Sequence, residues 1–450
     1  MDIMRLVFAA VGLLTAAPLS AQNPIAELPG AGRPVDLEFT QARRQRLLER
    51  VGAGIVVLPA AGERSLEADV LQDNDFRQDD YFFYLTGLET TGAWLILGAG
   101  KDSQVAVLLL PARDTAQERW TGLRLGPGPD AVRLSGIARV ASTEAFDSVF
   151  SAVRRDFPGP LYVPVYSGTK DQPRINEWLY AGRDVRNVVP VMDSMRVSKD
   201  VAELRRLRRA IDITTQAQRA AMRAATPGMW EYQLEATVEY TFRNLGADRL
   251  GFPSIIGSGP NSTTFHYDLS RRQMQAGELV VVDVGAEYGQ YTADVTRTIP
   301  LSGKFTARQK AIYDLVLATQ QAAMDSIRPG RTLRDLNRFA RAYMKDHSGK
   351  LCGEKTCDEY FSHGLTHHLG MRVHDVGDFS MPLPAGAVIT DEPGIYIPAE
   401  NIGIRIEDDI LVTDRGYELL SGGAPRTTAD IEAAMREREP AKRVQAGRQP

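Results

Sequence analysis

The 450-residue sequence predicts an α/β protein of two domains, on three observations. Strand-like runs that are apolar on both faces recur through the first 195 residues, as in a sheet covered on both sides. An Arg-dense stretch beginning at Arg196 then opens a long helix-patterned segment. Beyond it lie β-rich runs in which acids interrupt otherwise apolar residues. The mass of 49.5 kDa also exceeds what one hydrophobic core usually organises. A composition of 43% hydrophobic, 24% charged and 8% aromatic residues excludes a wholly disordered, collagenous or multi-span membrane chain. The net charge is −4, so no global field draws the chain to nucleic acid or an anionic bilayer, and a small, weakly charged ligand fits better.

Residues 1–21 read as a secretory signal peptide: a start with one basic side chain, the 12-residue apolar run Leu6 to Ala17, and a small residue at Ala21. The run is too short for a stable membrane span. The mature chain is expected to begin near Gln22 and to be periplasmic or secreted. In such a compartment Cys352 and Cys357 could close a small loop, and two free thiols fit the spacing equally well.

An N-terminal α/β domain is expected over residues 22–195. Phe39, Arg43, Leu47 and Leu48 fall at helical spacing and predict a helix over 38–50. Strands are predicted at Gly54–Leu58, Ala93–Leu97, Val105–Leu110, Leu161–Val165 and Val188–Val191. The second domain is expected over 196–435, starting with a helix from Val201 to about Ala225 that Pro227-Gly228 ends. Asp200 and Glu203 interrupt its basic cluster, which favours a solvated helix face over nucleic-acid binding. Residues 436–450 are polar, hold two prolines and read as a flexible tail. There is no Gly-x-Ser-x-Gly elbow to anchor serine hydrolase chemistry.

The chemistry concentrates in Leu279-Val-Val-Val-Asp283 and Ala293-Asp294-Val-Thr-Arg. A tight hairpin at Tyr288-Gly289 would make Asp283 and Asp294 direct cross-strand partners, with Cβ atoms roughly 5 Å apart. Like charges so close in an apolar setting are costly unless a cation lies between them. The alternative is a shifted register that leaves both acids in solvent. A second pair, Glu392 and Glu407, would meet by reflection about Ala399-Glu400, with Asp391, Asp408 and Asp409 as rivals for any metal role. Alternation places Arg405 beside Glu407 on one strand face. Four of the six histidines, His363, His367, His368 and His374, fall within twelve positions; His266 follows a turn-rich stretch, and His347 reads as surface. Two Asp, two Glu and one His form an oxygen-rich set able to hold two divalent ions, Mn²⁺ first, with Co²⁺, Fe²⁺ or Zn²⁺ as alternatives. Two such ions would share a water and lower its pKa.

In chain order, His266-Tyr, Val282-Asp283-Val-Gly, Asp294-Val-Thr-Arg, His363-Gly-Leu-Thr-His367, Val373-His374-Asp, Glu392-Pro-Gly and Ile406-Glu407-Asp resemble the metallopeptidases of the pita-bread (creatinase/aminopeptidase) fold. The segments Asp75 to Gly87 and Trp120 to Gly126 are similar to the proline-specific branch, the Xaa-Pro aminopeptidases. The resemblance covers about residues 36 to 435. It implies a creatinase-like N-terminal domain followed by a pita-bread catalytic domain. It also implies cleavage of the bond between an N-terminal residue and a following proline by a metal-bridging hydroxide. On this resemblance Asp283 binds one ion, Asp294 and Glu407 bridge both, and His367 and Glu392 complete the second. Glu392 relays the proton, His266 and His374 lie near the scissile carbonyl, and His363 and Arg405 shape the proline site. The expected partner is thus a peptide with proline second; assembly into a homo-oligomer is left open. Asp391, His368, Arg372 and the Cys352–Cys357 insert depart from the pattern and bear on substrate preference. The nearest rival is an Xaa-Pro dipeptidase (prolidase) of the same fold, and a more distant one is a non-catalytic binding protein that keeps the shell.

Overall fold

The computed structural model describes residues 36–62, 76–166, 172–181 and 184–437. The expected signal peptide lies outside the described residues, as does all of the expected tail beyond Glu437. Among the described residues no helix is long and apolar enough to cross a membrane.

The first helix, α1 (Leu37–Val51), buries Leu47 and Leu48 as its spacing predicts. Six strands form the N-terminal sheet: β1 (Gly54–Pro59), β2 (Trp94–Ala99), β3 (Gln104–Leu110), β4 (Arg139–Ser142), β5 (Leu161–Val163) and β6 (Val185–Asn187), in the order β4-β3-β2-β1-β5-β6. β2 is antiparallel to β1 and β3, and the outer pairs are parallel. Both faces are covered, which is why β1 is apolar throughout. Ile55 and Val57 pack with Phe146, Phe150 and Trp178, while Val56 and Leu58 pack with Phe82 and Leu85 of helix α2 (Asp80–Thr86).

One predicted strand is corrected. The Val188–Val191 run does not continue the sheet; after a last bond from Val188 N to Val163 O it turns into the helix Val189–Arg196, with Pro190 in the first turn. Proline lacks the N–H a ladder needs and has the φ a helix start needs. Arginines of the stretch that follows are paired rather than free, Arg205 with Asp36 at 2.6 Å and Arg208 with Glu418 at 2.7 Å, while Asp200 and Glu203 form a capping box on the helix Val201–Ala224.

The second half is built from short antiparallel ribbons: β7 (Arg249–Leu250), β8 (Ile255–Ser258), β9 (Leu279–Val284), β10 (Ala286–Tyr288), β11 (Tyr291–Thr292), β12 (Val295–Pro300), β13 (Val388–Asp391), β14 (Gly394–Ile397), β15 (Ile402–Arg405), β16 (Asp408–Val412) and β17 (Tyr417–Leu419). Val280, Val282, Ile299, Ile395, Ile404 and Ile410 join one core with Ile213 and Ala217 of the helix Val201–Ala224 and with Ile312 and Val316 of the helix Ala307–Ser326. Alternation then turns Asp283 to the opposite face of β9.

The hairpin differs from expectation by one turn residue. Its loop is Gly289-Gln290, with φ of 57° and 64°, and Tyr288 pairs with Tyr291. Positive φ at both loop residues is the type I′ geometry that matches strand twist. Gln290 tolerates it because its buried side chain exchanges hydrogen bonds with the main chain of Gln78 at 3.1 and 3.2 Å. The shift places Thr296, not Asp294, opposite Asp283. A two-residue offset preserves the face, so Asp283 and Asp294 become diagonal neighbours instead of direct partners.

Candidate metal centre

Each ribbon opens where its ladder breaks. The first breaks at Gly285 and Asp294, between β9–β12 and β10–β11. The second breaks at Glu392 and Glu407, between β13–β16, where Asp391 faces Asp408, and β14–β15, where Gly394 faces Arg405. The loop at Pro398–Glu400 keeps the register expected from reflection about Ala399-Glu400, so the two glutamates lie opposite one another. A glutamine from a covering helix takes the carbonyls near each break. Gln218 Nε2 donates to Val282 O and Val295 O at 2.9 and 2.7 Å, and Gln320 Nε2 donates to Asp391 O and Ile406 O at 3.0 and 3.2 Å.

The nine residues to which the resemblance gives site roles line one cavity of about 770 Å³: His266, Asp283, Asp294, His363, His367, His374, Glu392, Arg405 and Glu407. Donor atoms of Asp294, His367 and Glu407 lie within 4.8 Å of one another, close enough to share one ion. His367 Nε2 is 3.4 Å from Asp294 Oδ2 and 3.5 Å from Glu392 Oε1. His367 Nδ1 lies 3.1 Å from the His368 carbonyl, which can only accept, so Nδ1 carries a proton there and Nε2 is the ring atom that faces the two carboxylates. One ring nitrogen held by a backbone carbonyl with the other turned to carboxylates is the usual arrangement for a metal-ligating histidine.

The carboxylates make the same point. Glu407 Oε2 accepts from Thr296 Oγ1 at 2.6 Å, and Asp283 Oδ2 binds Arg405 Nη2 at 2.5 Å. Asp283 Oδ1 is buried with no hydrogen-bond partner among the described residues. Burial, then Asp283, Asp409 and Glu392, pushes the Asp294 carboxyl well above the ordinary range; burial, then Asp294 and Glu392, does the same to Glu407. Burial lifts Glu392 to about 7, with His367 and Arg405 opposing. Four acids with a single guanidinium among them are short of positive charge, and a divalent cation supplies it. The residues therefore fit the metal that their pattern implies.

Around this cluster, His363 is held neutral, lowered to about 3 by burial and by Arg405. Its Nδ1 lies 2.8 Å from Gly364 O, leaving Nε2 to accept from Tyr396 O–H at 2.7 Å while Tyr396 itself accepts from Arg405 Nη1 at 2.8 Å. The His374 ring meets that of His367 edge-on at 4.5 Å, and burial followed by His367 and His266 lowers its pKa. His347 is exposed and stacks on Tyr343.

The rival acids sit behind the site. Asp408 is bound by Arg297, Ser421 and Gln320, and Asp409 Oδ2 accepts from Asp294 N at 3.2 Å. Asp391 is buried, with neither carboxylate oxygen partnered among the described residues. Cys352 and Cys357 are joined as a disulfide, with Cα atoms 5.3 Å apart. Sequence reasoning missed Thr296, Tyr396, Phe265 and Thr390, whose Oγ1 accepts from His367 N at 3.1 Å. Alternation from Glu392 could have found Tyr396. Phe265 meets the rings of both His363 and Tyr396, and only the fold brings it there.

A cavity lined by clustered carboxylates and imidazoles defines a candidate divalent-metal centre. Residues 205–414 match the model of metallopeptidase family M24, and residues 40–157 match the aminopeptidase P N-terminal domain. The chain is 34% identical over 429 residues to the Xaa-Pro aminopeptidase of Escherichia coli, covering 88% of this chain and 97% of that protein. It is 30% identical over 469 residues to the human Xaa-Pro dipeptidase, covering 89% and 94%. The solved proline aminopeptidase P II of Yersinia pestis superposes with a TM-score of 0.80 at 32% identity, covering 89% of this chain and 100% of that one. The chain belongs to metallopeptidase family M24, with a creatinase-like N-terminal domain ahead of a pita-bread catalytic domain.

Proposed function

We propose that this protein removes the N-terminal residue from peptides with proline second, using two divalent ions, Mn²⁺ first among them. The observation that carries the reading is His367 Nε2 facing Asp294 and Glu392 in a cavity shared with Asp283 and Glu407. Asp283, Asp294, His367, Glu392 and Glu407 would hold the ions. Bound there, the ions supply a nucleophilic water at neutral pH and Lewis-acid polarisation of the carbonyl.

The chain's own groups do the rest. Glu392, on the cavity wall beside His367, can accept a proton at the carboxylate and return it to the leaving proline nitrogen. His266 and His374 line the same cavity and offer imidazole N–H groups to the carbonyl oxygen as negative charge develops. His363 and Arg405 line the cavity and are joined through the hydroxyl of the buried Tyr396 behind them, a wall suited to the flat proline ring and its carbonyl, and Phe265 adds an apolar face.

The similarity to an Xaa-Pro dipeptidase keeps a second reading in view, in which only dipeptides are cleaved. One experiment tests both: metal analysis of the dialysed protein with mass spectrometry of the products from Xaa-Pro and Xaa-Pro-Yaa-Zaa peptides. Release of Xaa from the longer peptides supports the aminopeptidase, and activity confined to Xaa-Pro supports the dipeptidase. Export to the periplasm or the medium is part of the proposal, supported by the leader pattern and by a disulfide, which persists in oxidising compartments. A mature N-terminus near Gln22 in the exported protein is the expected result.

A further inference from the structure

The segment carrying His374 is not held by the catalytic domain alone. Leu369 and Met371 are buried in the apolar cluster that contains Phe82, Tyr84 and Leu85 of α2. Arg77 Nη2 donates to Met371 O at 2.6 Å, and Arg77 Nη1 donates to Asp80 Oδ1 at 2.8 Å. Two residues before His374, Arg372 Nε donates to Asp80 Oδ2 at 2.5 Å. One residue after it, Asp375 is bound by Arg196 Nη2 at 2.7 Å and Lys199 Nζ at 3.3 Å. Arg196 Nη2 also lies 3.8 Å from Asp80 Oδ2, so one guanidinium joins both arms. The backbone closes the loop through Gly370 N to Arg372 O at 3.1 Å and Asp375 N to His368 O at 2.9 Å.

We propose that Asp80, in the N-terminal domain, is a positioning residue for catalysis: through Arg372 and the Arg196–Asp375 pair it fixes where His374 stands in the cavity. The inference rests on the reading of His374 as an imidazole that faces the scissile carbonyl. Leu369 and Met371 anchor the base of the segment, while His374 itself is exposed and its ring meets only the edge-on ring of His367 among the ring contacts of the described residues, so the backbone on either side of it must set where it stands. Ion pairs whose carboxylates are 1% exposed are directional where hydrophobic contact is not. A hydrogen-bond donor displaced by about 1 Å from a developing charge can cost roughly 100-fold in rate.

The test measures kcat, KM and metal content for Asp80→Asn and Arg372→Ala, each made with His374 present and in a His374→Ala background. Asp80→Asn preserves shape, and Arg372 has a side chain 56% exposed, so its removal leaves no buried hole. With His374 present, Asp80→Asn should lower kcat by about 10-fold and Arg372→Ala by about 3-fold, with KM changing less than about 2-fold and metal content unchanged. In the His374→Ala background both losses should shrink to within about 2-fold, because the group they position is gone. Equal losses in the two backgrounds, or loss of metal in the variants, overturn the proposal; so does unchanged kcat in both. If Asp80→Asn does not fold, the Arg372→Ala pair decides. A metal-loaded wild-type chain that cleaves none of the proline peptides would instead overturn the functional reading, and the proposal with it.

Discussion

His374 and Asp375 are neighbours in the chain, yet they border two buried acid clusters with opposite electrostatics. Where the domains meet, burial alone would raise Asp80 and Asp375, but Arg196, Arg77 and Arg372 outweigh it for Asp80, and Arg196 and Lys199 for Asp375, so both carboxyls sit below the ordinary range. In the cavity, burial is reinforced by like charges at Asp294 and Glu407 and outweighs His367 and Arg405 at Glu392, so all three rise. One cluster carries its own cations and acts as structure. The other waits for cations from solution and acts as a receptor for them. Burial of acids therefore does not by itself identify a site; the balance of charge around them, together with an open cavity, separates these two clusters.

Removing metal breaks this contrast most completely. Chelation is expected to abolish peptidase activity and restoring Mn²⁺ to recover it, read by product release. Added metal should also raise the stability of the chelated protein by about 2.7 kcal/mol at 100 times its dissociation constant, measured by thermal or denaturant unfolding. Next is Asp294→Asn, which removes one donor charge. It should lower kcat by about 100-fold or more and weaken metal retention, while circular dichroism stays native.

The interdomain cluster answers to stability rather than to metal. Asp375→Asn leaves Arg196 and Lys199 short of a partner and should destabilise the protein by about 3 to 5 kcal/mol in urea unfolding, with or without metal. The pH dependence separates the clusters by sign. Glu392 binds its proton more tightly folded than unfolded, so the metal-free protein should gain stability as pH falls from about 7 toward 4.5, a trend that metal should suppress. Asp80 and Asp375 bind protons less tightly folded, and their contribution is present above the ordinary carboxylate range and lost below it. The unfolding midpoint of chelated protein should thus be higher at about pH 5.5 than at about pH 8. The smallest effect belongs to an exposed ion pair. Lys310→Ala, which removes a contact to Asp314 at 2.6 Å between half-exposed side chains, should shift stability by less than about 0.5 kcal/mol.

Much of this was legible in the chain. Short-range periodicity placed α1, β1 to β3 and the long helix within a residue or two, because apolar runs and caps act locally. The reflection that brings Glu392 to Glu407 held because the strands on both sides of the break keep one register. The turn at Gly289-Gln290 was misread because the side chain that stabilises Gln290 at positive φ is bonded to Gln78, 212 residues away. The Val188–Val191 run was misread because its apolar content outweighed Pro190.

The sequence by itself determined which residues could bind metal and in what order they occur, since donor chemistry and strand alternation are properties of side chains and near neighbours. Only the tertiary structure decided which acids are left short of positive charge and which of those open to the cavity. Asp391 and Glu392 are adjacent, as are Glu407 and Asp408, and each pair divides between the cavity and the layer behind it. Arg297 reaches Asp408, and Arg196 reaches Asp80 and Asp375, from distant parts of the chain. Charge compensation acts through space, so whether a buried carboxylate is a ligand or a structural anchor depends on cations that no local pattern brings near.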